Sequence, residues 1–468
     1  MLSTRRHFVR SLAIGLASVV GAPLLQACSK ASGVGAVRQP ATPMPSPDKV
    51  SAADTPSVSP SPSLSAAALA RQVVSVLHCK PEASDDEIQA RVAESIDQVI
   101  DLHQALKDKR KVFVKVNVGP NLRTHRGRLQ EIVDPVVVRG VVAALRRRYS
   151  GEILVGESPT TLDRSFAEVF ASTGHTAALQ DLDVRLVNLN QPPLAEIAVP
   201  GGGLMHSRYT LSRELADTDF VVSVAKMKSH LCAGVTLSLK NFFGVPPMRM
   251  YGCPRRYLHS LVRLPRVLVD LGLVFRPGLC VIDGLVGQNG SEWDGQPADT
   301  EVLVAGNNTV ATDAVAARLM GVDPLADYGT APFYWDRNPI KLAHDAGLGS
   351  AKAEDIEVKG DDWSSLPRPQ FNVNRGPSPL EDSQRQKIAE QAKAYLAQRD
   401  EILKTHRGQI VCFQDGKPAF YLDDASGLSQ GYGRKGEFLW GPAGMGTLIK
   451  RVLPAEEDAE HMEVYERI

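Results

Sequence analysis

The chain has 468 residues, enough to bury a large core, and its 53 Lys plus Arg balance 53 Asp plus Glu for a formal net charge of zero. That balance excludes a protein that binds nucleic acid through a general positive field along the phosphates. Any positive surface has to be local.

The first segment, STRRHFVRSLAIGLASVVGAPLLQACSK, joins a basic start to an apolar run from Leu12 to Leu25 and then to small residues before a cysteine. It has the composition of a signal peptide and is too short for a spanning helix. Arg5 and Arg6 followed by Phe8 fit a twin-arginine signal, so the expected partner is the twin-arginine export machinery and the destination the periplasm or cell envelope. Residues 1–28 form the signal peptide with its lipobox: Leu25-Gln26-Ala27-Cys28 resembles one, which would make Cys28 a lipidated new N-terminus, the alternative being cleavage after Ala27 without lipid; Gln26 departs from the small or branched residue usual there. Residues 29–70 are rich in Pro, Ser and Ala and are expected to form a disordered tether. No later segment is apolar enough to span a bilayer, so membrane attachment is expected only through the N-terminal lipid.

From residue 71 to 355, apolar strands alternate with amphipathic helices. VVSVLHC (73–79), KVFVKVNV (111–118), EILVGES (152–158), VRLVNLN, DFVVSVAKMKSH, GLCVIDG (278–284) and TEVLVAGNN (300–308) have strand patterns. Between them, Ser84 is an N-cap candidate, Asp134-Pro135 supplies a cap and a first-turn proline, SFAEVFAST is a short helix, and Asp313 is expected to open the helix DAVAARLMG. The pattern predicts an α/β fold with a mostly parallel sheet and helices on both faces, in one body or two lobes. Residues 356–468 are expected to form a small α+β extension: a long polar helix, a hairpin turning at Asp415-Gly416 and a Gly-rich loop.

Ligands of open parallel sheets bind beyond the carboxyl ends of the strands. The residues expected there are Lys115 and Asn117, then Glu157, with Ser158 as a secondary candidate. Lys226, Lys228 and His230 follow, and then Asp283. Lys226, Lys228 and His230 fall at alternate positions and share a strand face. Lys240 and Asn241 sit in the apolar run VTLSLKNFFG, where a lysine needs a carboxylate such as Asp283 or Glu157. Clustered ammonium groups point either to an anion site or to a lysine made basic or nucleophilic by its surroundings. Asp283, Glu157, Asp313, His230 and His259 could bind a divalent metal, but their spacing matches no zinc signature. Gly201-Gly202-Gly203 is not GxGxxG and opens no obvious helix, and Ser158 and Ser229 stand in no GxSxG elbow, which argues against a dinucleotide site at those glycines and a serine hydrolase built on those serines. Cys79, Cys232, Cys253, Cys280 and Cys412 form no CxxC pair.

Seven words occur in order: VKVN (114–117), VDPVVVRGVV (133–142), VGESP (155–159), AKMKSHLCAGVTLSLKNFFGVPP (225–247), YLHSL (257–261), VIDGLVGQNG (281–290) and ATDAVAARLMGVDP (311–324). Together they resemble the bacterial and archaeal family called domain of unknown function 362, over about residues 72–350. The resemblance implies the fold and the candidate residues and leaves the reaction open. Members of that family exist with added ferredoxin-type cysteine clusters and with twin-arginine signals. This chain lacks those cysteines, so no iron–sulfur cluster is expected. It also departs after Asp283, where GQNGSEWDGQP brings in Glu292 and Asp294. The expected function is an exported enzyme acting on a small anionic ligand. The alternatives are an envelope protein that binds such a ligand or helps mature an exported metalloprotein, and a structural lipoprotein.

Overall fold

A computed structural model describes residues 71–363, 366, 369, 371, 379–429 and 446–468. The twin-arginine pair, Cys28, the tether and most of the Gly-rich stretch therefore lie outside the described residues.

Eight strands form the spine: β1 (Gln72–His78), β2 (Lys111–Val116), β3 (Glu152–Glu157), β4 (Arg185–Asn188), β5 (Phe220–His230), β6 (Leu279–Asn289), β7 (Val302–Gly306) and β8 (Ile356–Gly360). Their order is β8-β1-β7-β6-β5-β2-β3-β4, and Gly234–Thr236 and Gln296–Ala298 add to β5 and β6. β7 is antiparallel to both neighbours, and the other pairings along the path are parallel. The strands are apolar on both faces because both faces are covered. Val112 and Val114 of β2 pack into one core while Phe113 packs into the other; Val222 and Val224 of β5 oppose Val221, Ala225 and Met227 in the same way.

The helices start where side chains can cap them. Ser84 and Glu87 form a reciprocal capping box at α1 (Asp85–Val99), and Asp134 caps α2 (Pro135–Arg146), whose first residue is the proline. These two cover one face. The other face is covered by α3 (Arg263–Phe275), nearly all buried, and α4 (Thr309–Leu319). Asn308 caps α4, so Asp313 does not open that helix as expected but lies inside it. Among the described residues no helix is long and apolar enough to cross a membrane.

The boundary expected at residue 355 falls directly before a strand of the main sheet, since β8 pairs with β1. Beyond it, α5 (Pro379–His406) and a three-stranded sheet (Ile410–Gln414, Lys417–Leu422, Leu448–Arg451) share the core of the α3 face. The hairpin turns at Asp415-Gly416, both at positive φ, as a two-residue turn of that type requires. One buried carboxylate fastens this part to α3. Glu460 accepts hydrogen bonds from Arg263 (2.6 Å), Lys450 (2.8 Å) and Tyr465 (2.8 Å), and Arg263 also donates to Ile449 O (2.9 Å). The two cations hold the Glu460 carboxyl well below the usual carboxylate range despite its burial.

Candidate functional site

The carboxyl ends of β2, β3, β5 and β6 meet at a cavity of about 140 Å³. Lys228 and His230 enter it from the end of β5, Asn117 from just beyond β2, and Ser158 from beyond β3. After β5 the chain doubles back through Gly234–Thr236 and forms a short helical turn, Ser238–Asn241, that delivers Lys240. Asp313 of α4 holds that turn by accepting the backbone N–H groups of Ser238 and Leu239, both at 2.8 Å. Burial pushes the Asp313 carboxyl up to about 7. Its role is to position Lys240 and Asn241.

Two lysines near the cavity are locked into the fold. Lys115, fully buried, donates to Glu157 (2.8 Å), to Val116 O (2.7 Å) and to Asn241 Oδ1 (3.2 Å). Glu157 also accepts from the N–H groups of Val118 (3.2 Å) and Ser158 (2.8 Å), and Asn241 Nδ2 donates to Lys115 O, Ser223 Oγ and Val224 O. Gly244 roofs this cluster so closely that a Cβ there would collide with Glu157 Oε1 and lie 2.7 Å from Lys115 Nζ, so any larger residue would have to displace the buried pair. Lys226 and Asp283, register partners in β5 and β6, form a second pair at 3.0 Å with no exposed side-chain surface.

The groups facing the cavity are differently placed. Lys228 donates to Glu131 O (2.8 Å), and its ammonium lies 4.2 Å from the centroid of Trp293. Burial lowers it to about 8, with Glu292 and Glu131 opposing and Lys226 assisting. Lys240 lies over the Phe243 ring at 4.3 Å. Burial brings it to about 7, against the pull of Glu292 and with help from the charges of Lys228 and Arg255. Arg255 comes from the loop before α3 and donates to Ser158 Oγ (2.7 Å), Thr160 Oγ1 (3.0 Å) and Pro246 O (2.8 Å), adding a fixed positive charge to the wall. His230 and His259 are held well below their usual value by burial, so both are neutral at pH 7. Asn117 Oδ1 and Thr236 Oγ1 line the cavity, buried and without a protein partner. Buried polar atoms are rarely left so unless water or a ligand satisfies them.

His230, Cys232 and His259 bring ligand-type atoms within 4.8 Å of one another, which invites a metal. The local chemistry does not fit one. His230 Nδ1 accepts the N–H groups of Cys232 (3.0 Å) and Ala233 (3.1 Å), which places the proton on Nε2, 3.7 Å from Glu292. Neither ring nitrogen then offers a free lone pair, and burial pushes the Cys232 thiol up, away from the thiolate a metal needs. Asp283, Glu157 and Asp313, the carboxylates expected to join such a site, are occupied by lysines and backbone N–H groups.

Residues 112–318 match the family described as Domain of unknown function (DUF362). The chain carries a DUF362 domain. A thylakoid-associated protein of Synechocystis sp. is 28% identical over 216 residues, 45% of this chain and 64% of that protein, so the chain spans a little under two thirds of the length of this curated relative. The lactate racemase apoprotein from Thermoanaerobacterium thermosaccharolyticum matches with a TM-score of 0.36 at 10% identity, over 54% of this chain and 58% of that one. A protein from Thermotoga maritima matches at 0.31 and 12% identity, over 53% and 61%. Likenesses that loose say nothing about function.

Inside the DUF362 domain the structure divides the expected residues. Lys228, His230, Lys240, Asn117 and the secondary candidates Ser158 and His259 line the cavity, and Glu157 and Asn241 reach it while bound to Lys115. Lys226 and Asp283 neutralise each other in the core, and Asp313 acts on backbone. The carboxylates expected to partner Lys240 are already taken, so it has neither. Arg255, Thr236, Phe243, Glu131 and Trp293 were not expected at the site. The available signal was PRRYLHSL, which places two arginines beside one of the family words. Glu292, noted only as a departure from the family pattern, lines the cavity.

Proposed function

We propose that this protein is an enzyme that takes a small anionic substrate into the cavity at the carboxyl edge of the sheet. The observation that carries this reading is the meeting of Lys228, Lys240 and Arg255, from three separate segments, around one small space with uncommitted polar atoms. A ligand pocket usually measures roughly 300–1,000 Å³, so about 140 Å³ suits a small carboxylate or phosphate better than a nucleotide. Lys228, already oriented by Glu131 O and Trp293, holds the anion; Lys240 and the neutral imidazole of His259 are the groups able to move a proton. Titration calorimetry with inorganic phosphate and acetate tests the site. Binding is expected, with Lys228→Met weakening it about 10–100-fold, the value of a charge-assisted hydrogen bond. Absence of binding, or a folded variant that binds equally well, overturns the reading.

The enzyme is exported through its twin-arginine signal and held at the envelope by lipid on Cys28, with residues 29–70 as spacer. A relative named for its association with thylakoids supports a membrane-side location. Mass spectrometry of the mature N-terminus is expected to find Cys28 carrying acyl chains; an unmodified Cys28 contradicts the anchor.

A further inference from the structure

The four lysines at the strand ends have four different surroundings. Lys115 and Lys226 are neutralised by Glu157 and Asp283 at 2.8 and 3.0 Å. Lys228 donates a hydrogen bond to the Glu131 carbonyl and rests on an indole face, which favours its charged form. Lys240 forms no ion pair and, among the described residues, has no hydrogen-bond acceptor on Nζ, Glu292 across the cavity being the acid whose charge it feels; it stands over Phe243 and opens onto the cavity. Its turn is fixed from behind by Asp313 and its neighbour Asn241 is bonded to three backbone or hydroxyl oxygens, so the amine is presented on a rigid support.

An uncharged amine beside a held cation suits a substrate with two functions. We propose that Lys240 forms an imine with a small 2-oxo carboxylate, whose carboxylate rests on Lys228 and whose carbonyl carbon faces Lys240 Nζ. The assignment rests on the anion-site reading above. The Nζ lone pair forms the C–N bond as the carbonyl π pair moves to oxygen; that oxygen takes up the proton Nζ gives up, producing a carbinolamine. A second proton lets the hydroxyl leave as water, and the C=N bond closes. Ketone plus amine thus give imine plus water, with no oxidant or reductant. His259 packs against both His230 and Phe243 at 5.6 Å, so a neutral imidazole lies beside the lysine to relay these protons, while His230, its Nδ1 held by two backbone N–H groups, keeps that ring in place. The protonated imine draws electrons from the adjoining carbons, which eases loss of a proton or of the carboxylate. Burial and the neighbouring charges bring Lys240 to about 7, which leaves much of it unprotonated near neutrality.

The test is reductive trapping of the full chain with pyruvate and cyanoborohydride, followed by peptide mapping, beside calorimetry with pyruvate and with acetate. A reduced pyruvyl adduct on Lys240, competed away by acetate and lost in both Lys240→Arg and Lys240→Met, is the expected result. If both anions bind but no adduct forms on Lys240 between pH 6 and 9, the imine falls and the anion site stands. An adduct confined to another lysine also overturns the assignment. If neither anion binds, the imine and the anion site fall together.

Discussion

Asp283→Ala is expected to lower the unfolding free energy by about 3–5 kcal/mol, the cost of leaving a buried charge without its partner. Lys226 and Asp283 face each other across β5 and β6 with no exposed side-chain surface, and their charged atoms are 3.0 Å apart. Asp283 does more than neutralise. Its carboxylate accepts the Asp134 N–H (2.8 Å) at the cap of α2 and the Leu285 N–H (3.0 Å) where the β5–β6 register shifts. Alanine would strand one ammonium and two backbone donors in the core, where an unsatisfied group costs about 1–3 kcal/mol by itself. Urea unfolding measures the loss. The double variant Lys226→Met/Asp283→Leu removes both charges and should recover the part of the loss due to the stranded ammonium, while the Asp134 and Leu285 N–H groups stay unsatisfied and keep it less stable than the original chain. That folded double variant should also bind phosphate and acetate within a few-fold of the original chain. A loss below about 1 kcal/mol in Asp283→Ala would mean the pair does not hold the strands as described.

This pair also marks where the sequence stops being legible. The alternation of apolar strands and capped helices is written locally: Ser84 with Glu87, and Asp134 with Pro135, start helices where the spacing says they should. The mostly parallel sheet follows from strands apolar on both faces, such as Val112-Phe113-Val114. That the polar residues gather at one sheet edge follows from topology, and most of the expected residues do gather there. Which lysine takes which carboxylate depends instead on register between strands distant in sequence. Lys226 and Lys228 are two residues apart and look alike in the chain, yet Asp283 lies opposite the first, and the bulge before Gln288 puts no acid opposite the second. Lys240 lost both of its expected partners for that reason. Arg255 was missed because it arrives on a loop after the last β5 element, with positive φ, and no periodic pattern marks such a position.

Lys228 and Lys240 face an anion cavity without forming an ion pair among the described residues, and this makes their ionisation the most direct observable. Both are lowered chiefly by burial, Lys240 to about 7 and Lys228 to about 8. A free lysine loses its proton near roughly 10.4. Above pH 7 the folded chain therefore holds fewer protons at Lys240 than the unfolded chain does, so this residue makes the fold more stable as pH rises from about 7 to about 10. An anion in the cavity reverses the burial penalty, raises both values and draws protons from solution. NMR titration of lysine side chains, assigned with Lys228→Met and Lys240→Met, measures this with and without saturating acetate. The account predicts half-points near pH 7 and pH 8 in the free protein, both moving upward with acetate. Two lysines that titrate near 10.4 and ignore acetate would contradict it.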